Sequence, residues 1–506
     1  MTIISIPEFA PDQPDLPSVT SDTVFNVVPS TVNSYSPVKS LKPHAKAIDD
    51  RCQGGLQITN TDGISRVFCG DASKLYRLTS LSSTPSDVSK SGGYTTSSEI
   101  NWSFAQFGDM VIATNYNDAP QVYTDGTSML FSNLITSGVT SLKAKYVAAV
   151  RNFIVFGNCS DATYGNRPQS VWWSAVEDPT TFPTVGTSAA INALSDRQDN
   201  VGDHGECTGL VGNLGSIDCA VFYRNAIYRM VWAGLPDIFD FQKVTGNRGN
   251  ICPYGLAQLD NVAYFISEDG VMSFDGANIV PIGKNRIDRY IMADLDKTYL
   301  SRVSCCVEPK YGLIVWAYPS NGASNGVPNR LLFYSPSLDR FTITRTDDVN
   351  VEFLLRGATF NKTLENLDSI ATLDGLAYSL DSGVWLGTNT FLSGFDSSHR
   401  FGYFGGDNLE AEIVTSDFEP IQGRQSVITR VRPMSDTDSC VVSGCGRDKI
   451  SVVPSYGTPS SMENNGSIGL RQRGRYHRLK SIIPAGAEWD KFSGIDVEDV
   501  KDGGLR

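Results

Sequence analysis

The chain has 506 residues, 41% of them hydrophobic and 19% charged, and a formal net charge of −13. That is the make-up of a folded globular protein with room for several domains or one large repeat domain; its acidity argues against general affinity for nucleic acid, which needs a surplus of Lys and Arg. No stretch approaches the length of an apolar membrane span, and the opening MTIISIPEFAPDQPD lacks the basic n-region of a signal peptide, so neither is expected.

Residues 1–45 contain five Pro within the first 30 positions and show no clear period. They are expected to form an extended arm, one that would lie across a neighbouring molecule in an assembly. A chain lacking residues 1–45 is then expected to fold but fail to assemble.

Residues 46–404 repeat one unit. A run of apolar residues leads through a Gly-, Asn- or Asp-rich turn to a second strand carrying an aromatic. Six copies are legible: Arg66–Leu81, Met110–Leu130, Phe153–Trp173, Cys219–Trp232, Val262–Ile282 and Leu313–Phe341, with a weaker seventh at Ile370–Leu380. Their apolar strands begin near residues 67, 110, 153, 219, 262 and 313, in steps of 43, 43, 66, 43 and 51 residues. Steps of about 40–50 residues are those of a four-stranded propeller blade, so an all-β fold with a β-propeller of six or seven blades is expected. The long step is read as an insertion over Asp161–Gly215. Asp125-Gly126, Asp269-Gly270, Asp275-Gly276 and Asp374-Gly375 supply hairpin turns, with Ser267–Gly270 read as a type I′ turn. A single segment, Lys284–Leu300, reads as a helix, with Ile287, Ile291 and Leu295 on one face.

Residues 405–506 break the pattern and read as a C-terminal β-sandwich. Their most pronounced charge feature is LRQRGRYHRLK, residues 470–480. Arg471, Arg473, Arg475 and His477 alternate, so on one strand they would share a face; Arg430 and Arg432 repeat the pattern. Such a face would meet an acidic patch on a partner, solvent or DNA phosphate.

Few residues suggest chemistry. Only four His are present, without ligand spacing, and the ten Cys form no C-x-x-C pair. The Cys read as buried reduced thiols, although Cys440 and Cys445 could close a small loop. Neither a G-x-S-x-G elbow nor a Walker A loop appears. Asp203, His204 and Glu206 stand close together, and Trp172, Trp173 and Trp232 are candidate sugar platforms, but strand aromatics more often build cores. No catalytic residue, metal or cofactor is assigned.

The segments FNVVPSTVNSYSPVKSL, RCQGG, TDGISRVFCGDASKLYRLT, YRNAIYRMVWAGLPDIFDFQ and the ending RYHRLKSIIPAGAEW…GIDVEDVKDGGLR resemble the tail hub proteins of short-tailed bacteriophages, also described as packaged-DNA stabilisation or tail accessory proteins. The resemblance implies a virion structural protein, made in the host cytoplasm. It would form a ring, commonly of six copies, below the portal and adaptor proteins. That ring would extend the channel through which DNA passes and carry fibres, tailspikes or a needle. The alternatives are a tail-associated β-propeller that binds or depolymerises carbohydrate, and another β-repeat scaffold.

Overall fold

Six consecutive stretches of the chain each fold into a set of four antiparallel strands in simple up-and-down order, and a seventh set is completed by a strand from the beginning of the chain. The computed structural model describes residues 2–14, 20–79, 82–244, 246–358 and 390–503. Within them, the first strands of the seven sets are Gly55–Thr59, Ser103–Phe107, Lys143–Val150, Cys207–Leu214, Ala257–Leu259, Ser304–Glu308 and Val351–Ala358. Each set packs through its inner edge against the next, and the first strand of set 7 returns to that of set 1. This is the arrangement of a β-propeller: the sets touch side chain to side chain around a ring and are not joined into one hydrogen-bonded cylinder. We call the sets blades 1 to 7.

The ring is closed by the beginning of the chain. Blade 7 takes three strands from Val351–Ala358, Thr390–Asp396 and Arg400–Asn408, and its outermost strand is Lys39–Ala47. Arg400 stands opposite Ala47, Gly402 opposite Pro43 and Phe404 opposite Leu41. The weak repeat at 370–380, with its Asp374-Gly375 turn, lies outside the described residues.

The six legible repeats are the second and third strands of blades 1 to 6. The second strands are buried on both faces and therefore read as apolar runs: Ile217–Tyr223 and Leu313–Tyr318 are buried at every position. Separate hydrophobic clusters fill the gaps between blades. Phe68, Trp102 and Tyr123 lie between blades 1 and 2, and Phe156, Trp172 and Phe182 between blades 2 and 3. Trp173, Tyr223 and Met230 pack between blades 3 and 4. Val67, Tyr76, Leu355, Phe401 and Tyr403 seal blade 7 against blade 1.

The expected 161–215 insertion resolves differently. Gly165–Trp173 is the third strand of blade 3, and Asp196–Asp199 is its fourth. The extra chain lies between them and carries the short helix Ser188–Ala193, capped by Thr187. Cys207–Leu214 already belongs to blade 4.

Strand pairing crosses the boundaries expected at 45/46 and 404/405. The C-terminal strands form two sheets, and both take in strands from residues 2–37. In one, Ile468–Gly474, Ser426–Ser435 and Phe492–Asp502 are joined by Thr2–Ser5, Ser34–Pro37 and Val27–Thr31. In the other, Ala411–Val414, Tyr476–Ile483, Val441–Arg447 and Ser460–Ser461 continue the sheet of blade 6 through Val24–Phe25. Phe25 pairs with Ile343 of blade 6 on one side and with Glu412 on the other. The two sheets share one core, in which Ile428, Val431, Leu479 and Phe492 meet Val24, Val27 and Tyr35 and the side chains of blades 5 and 6. We call this pair of sheets the lateral module.

The expected helix over Lys284–Leu300 is shorter. Asp288–Asp294 is α-helical and Lys297–Arg302 is a 3-10 turn, separated by the extended Leu295. The residue before the helix gives no side-chain cap. Asp12 supplies one from the N-terminal segment, accepting from the Arg289 and Tyr290 amides at 2.7 and 3.1 Å. Phe9 packs edge-on against Tyr290, with ring centroids 5.5 Å apart. The segment before residue 45 is thus part of the fold, not a free arm.

Removing residues 1–45 is therefore expected to unfold the protein, because it strips most of the outer strand from blade 7 and Phe9, Val27 and Tyr35 from the core. Circular dichroism and thermal unfolding of the truncated chain would check this; a cooperative transition at the wild-type temperature would contradict it. Phe401→Ala, at the ring closure, is expected to cost about 3–5 kcal/mol, read by chemical denaturation.

Candidate functional site

Because the strands alternate in direction, the turns between first and second and between third and fourth strands share one face of the ring. The other turns and the blade-to-blade connections share the opposite face. We call these the lower and upper faces.

The ring centre encloses a cavity of about 580 Å³ lined from all seven blades. Its wall is chiefly apolar, with Leu56, Phe104, Leu210, Leu256, Phe353 and Leu355, and among the lining residues Arg356 alone is charged. Toward the upper face the centre is bridged. Tyr254, just before blade 5, donates its hydroxyl to the Asn101 carbonyl at 3.0 Å and accepts from the Asn101 amide at 3.1 Å, just before blade 2. Asn101 Nδ2 donates to the Ser301 carbonyl at 2.8 Å, and Glu99 accepts from Ser301 Oγ at 2.9 Å. These bonds join blades on opposite sides of the ring. Burial drives the Tyr254 hydroxyl pKa well above its ordinary value, so it stays a neutral donor. The arrangement ties the ring together across its middle.

Beside this bridge, Glu352 at the start of blade 7 accepts from the Cys52 amide at 2.9 Å and lies 2.7 Å from His399 Nδ1. Its side chain is almost wholly buried, and burial raises its pKa. It fastens blade 7 to the entry of blade 1, where the ring closes.

The six predicted arginine and histidine positions divide into three groups. Arg430 and Arg432 on Ser426–Ser435, and Arg471 and Arg473 on the neighbouring Ile468–Gly474, are exposed on the outer face of one lateral sheet. Arg432 pairs with Glu498 at 2.7 Å, and Arg473 donates to Gln425 Oε1 and the Gly503 carbonyl. Among the described residues Arg430 and Arg471 form no ion pair. Arg475 lies beyond the strand end and pairs with Glu419 at 3.0 Å.

His477 does not join them. The chain leaves one sheet at Gly474 and enters the other at Tyr476, so the alternation is broken between Arg473 and His477. A Cβ on Gly474 would sit 2.5 Å from the Arg447 amide nitrogen, so the crossover passes too close for any side chain. His477 is fully buried, its Nε2 2.9 Å from the Gly474 carbonyl and 3.0 Å from Ser426 Oγ. Desolvation lowers its pKa.

The sequence reading missed a group of buried charges on the other lateral sheet, on the side turned away from the shared core. Asp417 is enclosed between Arg447, which meets it with two nitrogens, and Arg478 at 3.2 Å. Arg447 also donates to the Ile450 and Val452 carbonyls. Arg478 stands in the same run as the exposed arginines, and the crossover at Gly474 carries it into the second sheet, where it is buried.

The remaining candidates are dispersed. His204 is buried between Tyr223 and Tyr228, with centroids 4.4 and 5.2 Å away, while Glu206 pairs with Lys145. Asp203 is exposed, so the three residues form no joint site. Trp172 and Trp173 are core residues on opposite faces of one strand, not open sugar platforms. Trp232 is partly buried beneath the Arg151 guanidinium. At Ser267–Gly270 the positive φ falls on Gly270 alone, at 125°, so the turn is not type I′. All ten cysteines are free thiols, including Cys440 and Cys445, and burial raises the pKa of those with a resolved shift. Among the described residues no group of His, Cys, Asp and Glu could hold a metal ion, and no helix is long and apolar enough to cross a membrane.

No family model matches the chain, and no curated protein does. Among solved structures it is similar to the computationally designed Ika8 protein (TM-score 0.37, 10% identity, covering 75% of this chain and 96% of that one). It is also similar to the WD40 β-propeller domain of Doa1 (TM-score 0.33, 10% identity, 62% and 90% covered). A chain of the mitotic checkpoint complex matches with TM-score 0.38 and 13% identity, over 74% of this chain and 95% of that one.

Two outcomes test this geometry. Tyr254→Phe leaves the Asn101 amide and carbonyl without their partner and is expected to cost about 1–3 kcal/mol, measured by urea denaturation. The second concerns pH. The folded-state pKa of His477 lies below its ordinary 6.5, so the unfolded chain binds the proton more readily. Stability is then whole above about 6.5 and falls as the pH drops toward the folded pKa. The decline in melting temperature between pH 7 and 5.5 is expected to be shallower in His477→Asn; an unchanged slope would contradict the assignment.

Proposed function

We propose that this chain is a structural subunit of a short bacteriophage tail, a hub or nozzle protein. In this reading several copies form a ring below the portal and adaptor proteins. The ring continues the DNA channel, helps retain packaged DNA and carries fibres, spikes or a needle. Its place is the virion tail, and it performs no catalysis.

The observation that carries the reading is the lateral module. One rigid chain presents a propeller with two faces and, to one side of it, a flat sheet with its own charge. Contacts between unlike surfaces of identical subunits generate rings when the rotation closes. The module, a β-sandwich in this reading, is welded to blade 6 by Val24–Phe25, so its orientation to the ring is held firmly enough to set such a rotation. Net acidity favours this role too: a channel wall of the same sign as DNA lets a duplex slide without sticking. The duplex would run through the lumen between copies, since the cavity inside each propeller is bridged by Tyr254 and Asn101. A depolymerase reading draws on acidic groups beside open aromatics, whereas Trp172 and Trp173 are core and Glu352 is engaged in ring closure.

Co-expression with a short-tailed phage's portal and adaptor, followed by electron microscopy, tests the proposal. A ring of this protein stacked on the portal–adaptor complex is the expected result. A chain that never joins that complex and cleaves capsular polysaccharide would sink it.

A further inference from the structure

The lower face of blades 1 to 4 is unusual for a protein surface. Apolar side chains project from its turns: Ile64 in blade 1, Met129 in blade 2, Val176 and Ile191 in blade 3, and Leu235 in blade 4. Met129 is 85% exposed and Leu235 63%. Clustered apolar exposure of this kind marks interaction surfaces. The charges around these tips are acidic. Asp62, Glu177 and Asp237 are exposed in the same turns, and Asp260 and Asp275 continue the series in blade 5. Two cations on that side are neutralised within the fold, Arg66 by Asp125 and Arg151 by Asp218.

The outer sheet of the lateral module is its complement. Arg430, Arg471 and Arg473 are exposed there beside Arg432, which pairs with Glu498, and the exposed Asp499 opposite Arg430. Exposed Met434 and Ile3 flank them, and Arg430 and Arg471 form no ion pair among the described residues. Ile3 and Arg432 stand on either side of Asp496 in register, so the apolar and cationic groups share one face. The module is attached at blades 5 and 6, whereas the apolar turns belong to blades 1 to 4. The two surfaces lie on different sectors of the ring, so one can meet the other only in a second molecule.

We propose that the arginine face of one copy docks on the acidic, apolar-tipped lower face of blades 1 to 4 in the next, a heterologous contact between identical chains. The contact rests on the reading of this protein as a ring-forming subunit and names the surfaces that would build the ring. Apolar tips supply the buried core of the interface, and the arginines and carboxylates at its rim fix register and speed encounter. Self-association should therefore weaken as salt is raised.

Two variants test it by sedimentation and native mass spectrometry of the full chain. Arg430→Glu/Arg471→Glu alters the module face, and Met129→Asp/Leu235→Asp alters the lower face. All four positions are exposed, and unchanged thermal unfolding checks that the fold is kept. Each variant alone is expected to self-associate at least about tenfold more weakly than wild type. Mixed, the two should form a 1:1 dimer that grows no further, because each retains the surface the other has lost. Wild-type assembly that both variants reproduce, or a mixture that stays monomeric, overturns the contact while leaving the hub reading to its own test with portal and adaptor. A wild-type chain that stays monomeric at every concentration also overturns the contact.

Discussion

The structure depends on strands that the first 47 residues lend to the rest of the chain. Lys39–Ala47 completes blade 7 and so closes the ring. Val24–Phe25 joins the sheet of blade 6 to the lateral module. Between these elements Asn26 is buried with φ at 61°; its side chain donates to Asp348 and to the Glu410 carbonyl and accepts from the Arg345 amide. One short segment thus contacts the end of the ring and the start of the C-terminal strands at once. The contacts span more than 300 residues of sequence, so a large loop-closure entropy must be met before they form. Ring and module are therefore expected to gain their stability together, the last blades waiting for the first strands to be matched.

What was legible in the sequence follows from burial. The second strands of blades 1 to 6 are sandwiched between neighbouring blades, so most of their side chains are apolar and the run stands out, while the third strands, such as Gly165–Trp173 and Ile227–Gly234, are partly exposed and mixed. The first strands line the centre and the fourth face solvent; Ile238–Lys243 alternates with acids and Gln, and Ser132–Asn133 is two polar residues. The described strands of blade 7 carry little repeat signal, because its central strands, TFLSGFD and RFGYFGGDN, interleave aromatics with Gly and Ser, and because its outer strand lies at the other end of the chain. That outer strand was read as irregular for its prolines. Pro37 ends one strand, and Pro43 stands opposite Gly402 beside a break in register, a position where a missing amide donor is tolerated.

The arginine run shows where periodicity stops being informative. Alternation predicts a shared face only while the strand continues. Gly474 ends one strand, and the chain crosses to the facing sheet within two residues. Arg471 and Arg473 remain outside, while His477 turns into the shared core and Arg478 to the opposite side of its sheet, where it meets Asp417. Breaking such a buried group leaves an uncompensated charge, costing about 3–5 kcal/mol, so Asp417 serves to hold the neighbouring strands Val441–Arg447 and Tyr476–Ile483 and the 450–452 turn together. A lone Gly within a charged run was the available signal for the crossover, and it carries meaning only once both sheets are known.

A cationic face on a chain of net charge −13 has a physical consequence of its own. Arg430 and Arg471 could have been neutralised locally as Arg432 and Arg475 are, by Glu498 and Glu419. Left unpaired at the surface they gain little in the isolated chain and meet a long-range field of opposite sign from the rest of the molecule. In dilute solution that field acts within one chain across the width of the ring, where salt screens it. Between two chains it acts at contact distance, and it favours the orientation that sets arginines against the acidic turns over any that sets like surfaces together. The same asymmetry disfavours two-fold pairing through either surface alone, since arginine would face arginine or carboxylate would face carboxylate. In an assembly of such chains, charge placement would favour head-to-tail order among the packings that shape alone would permit.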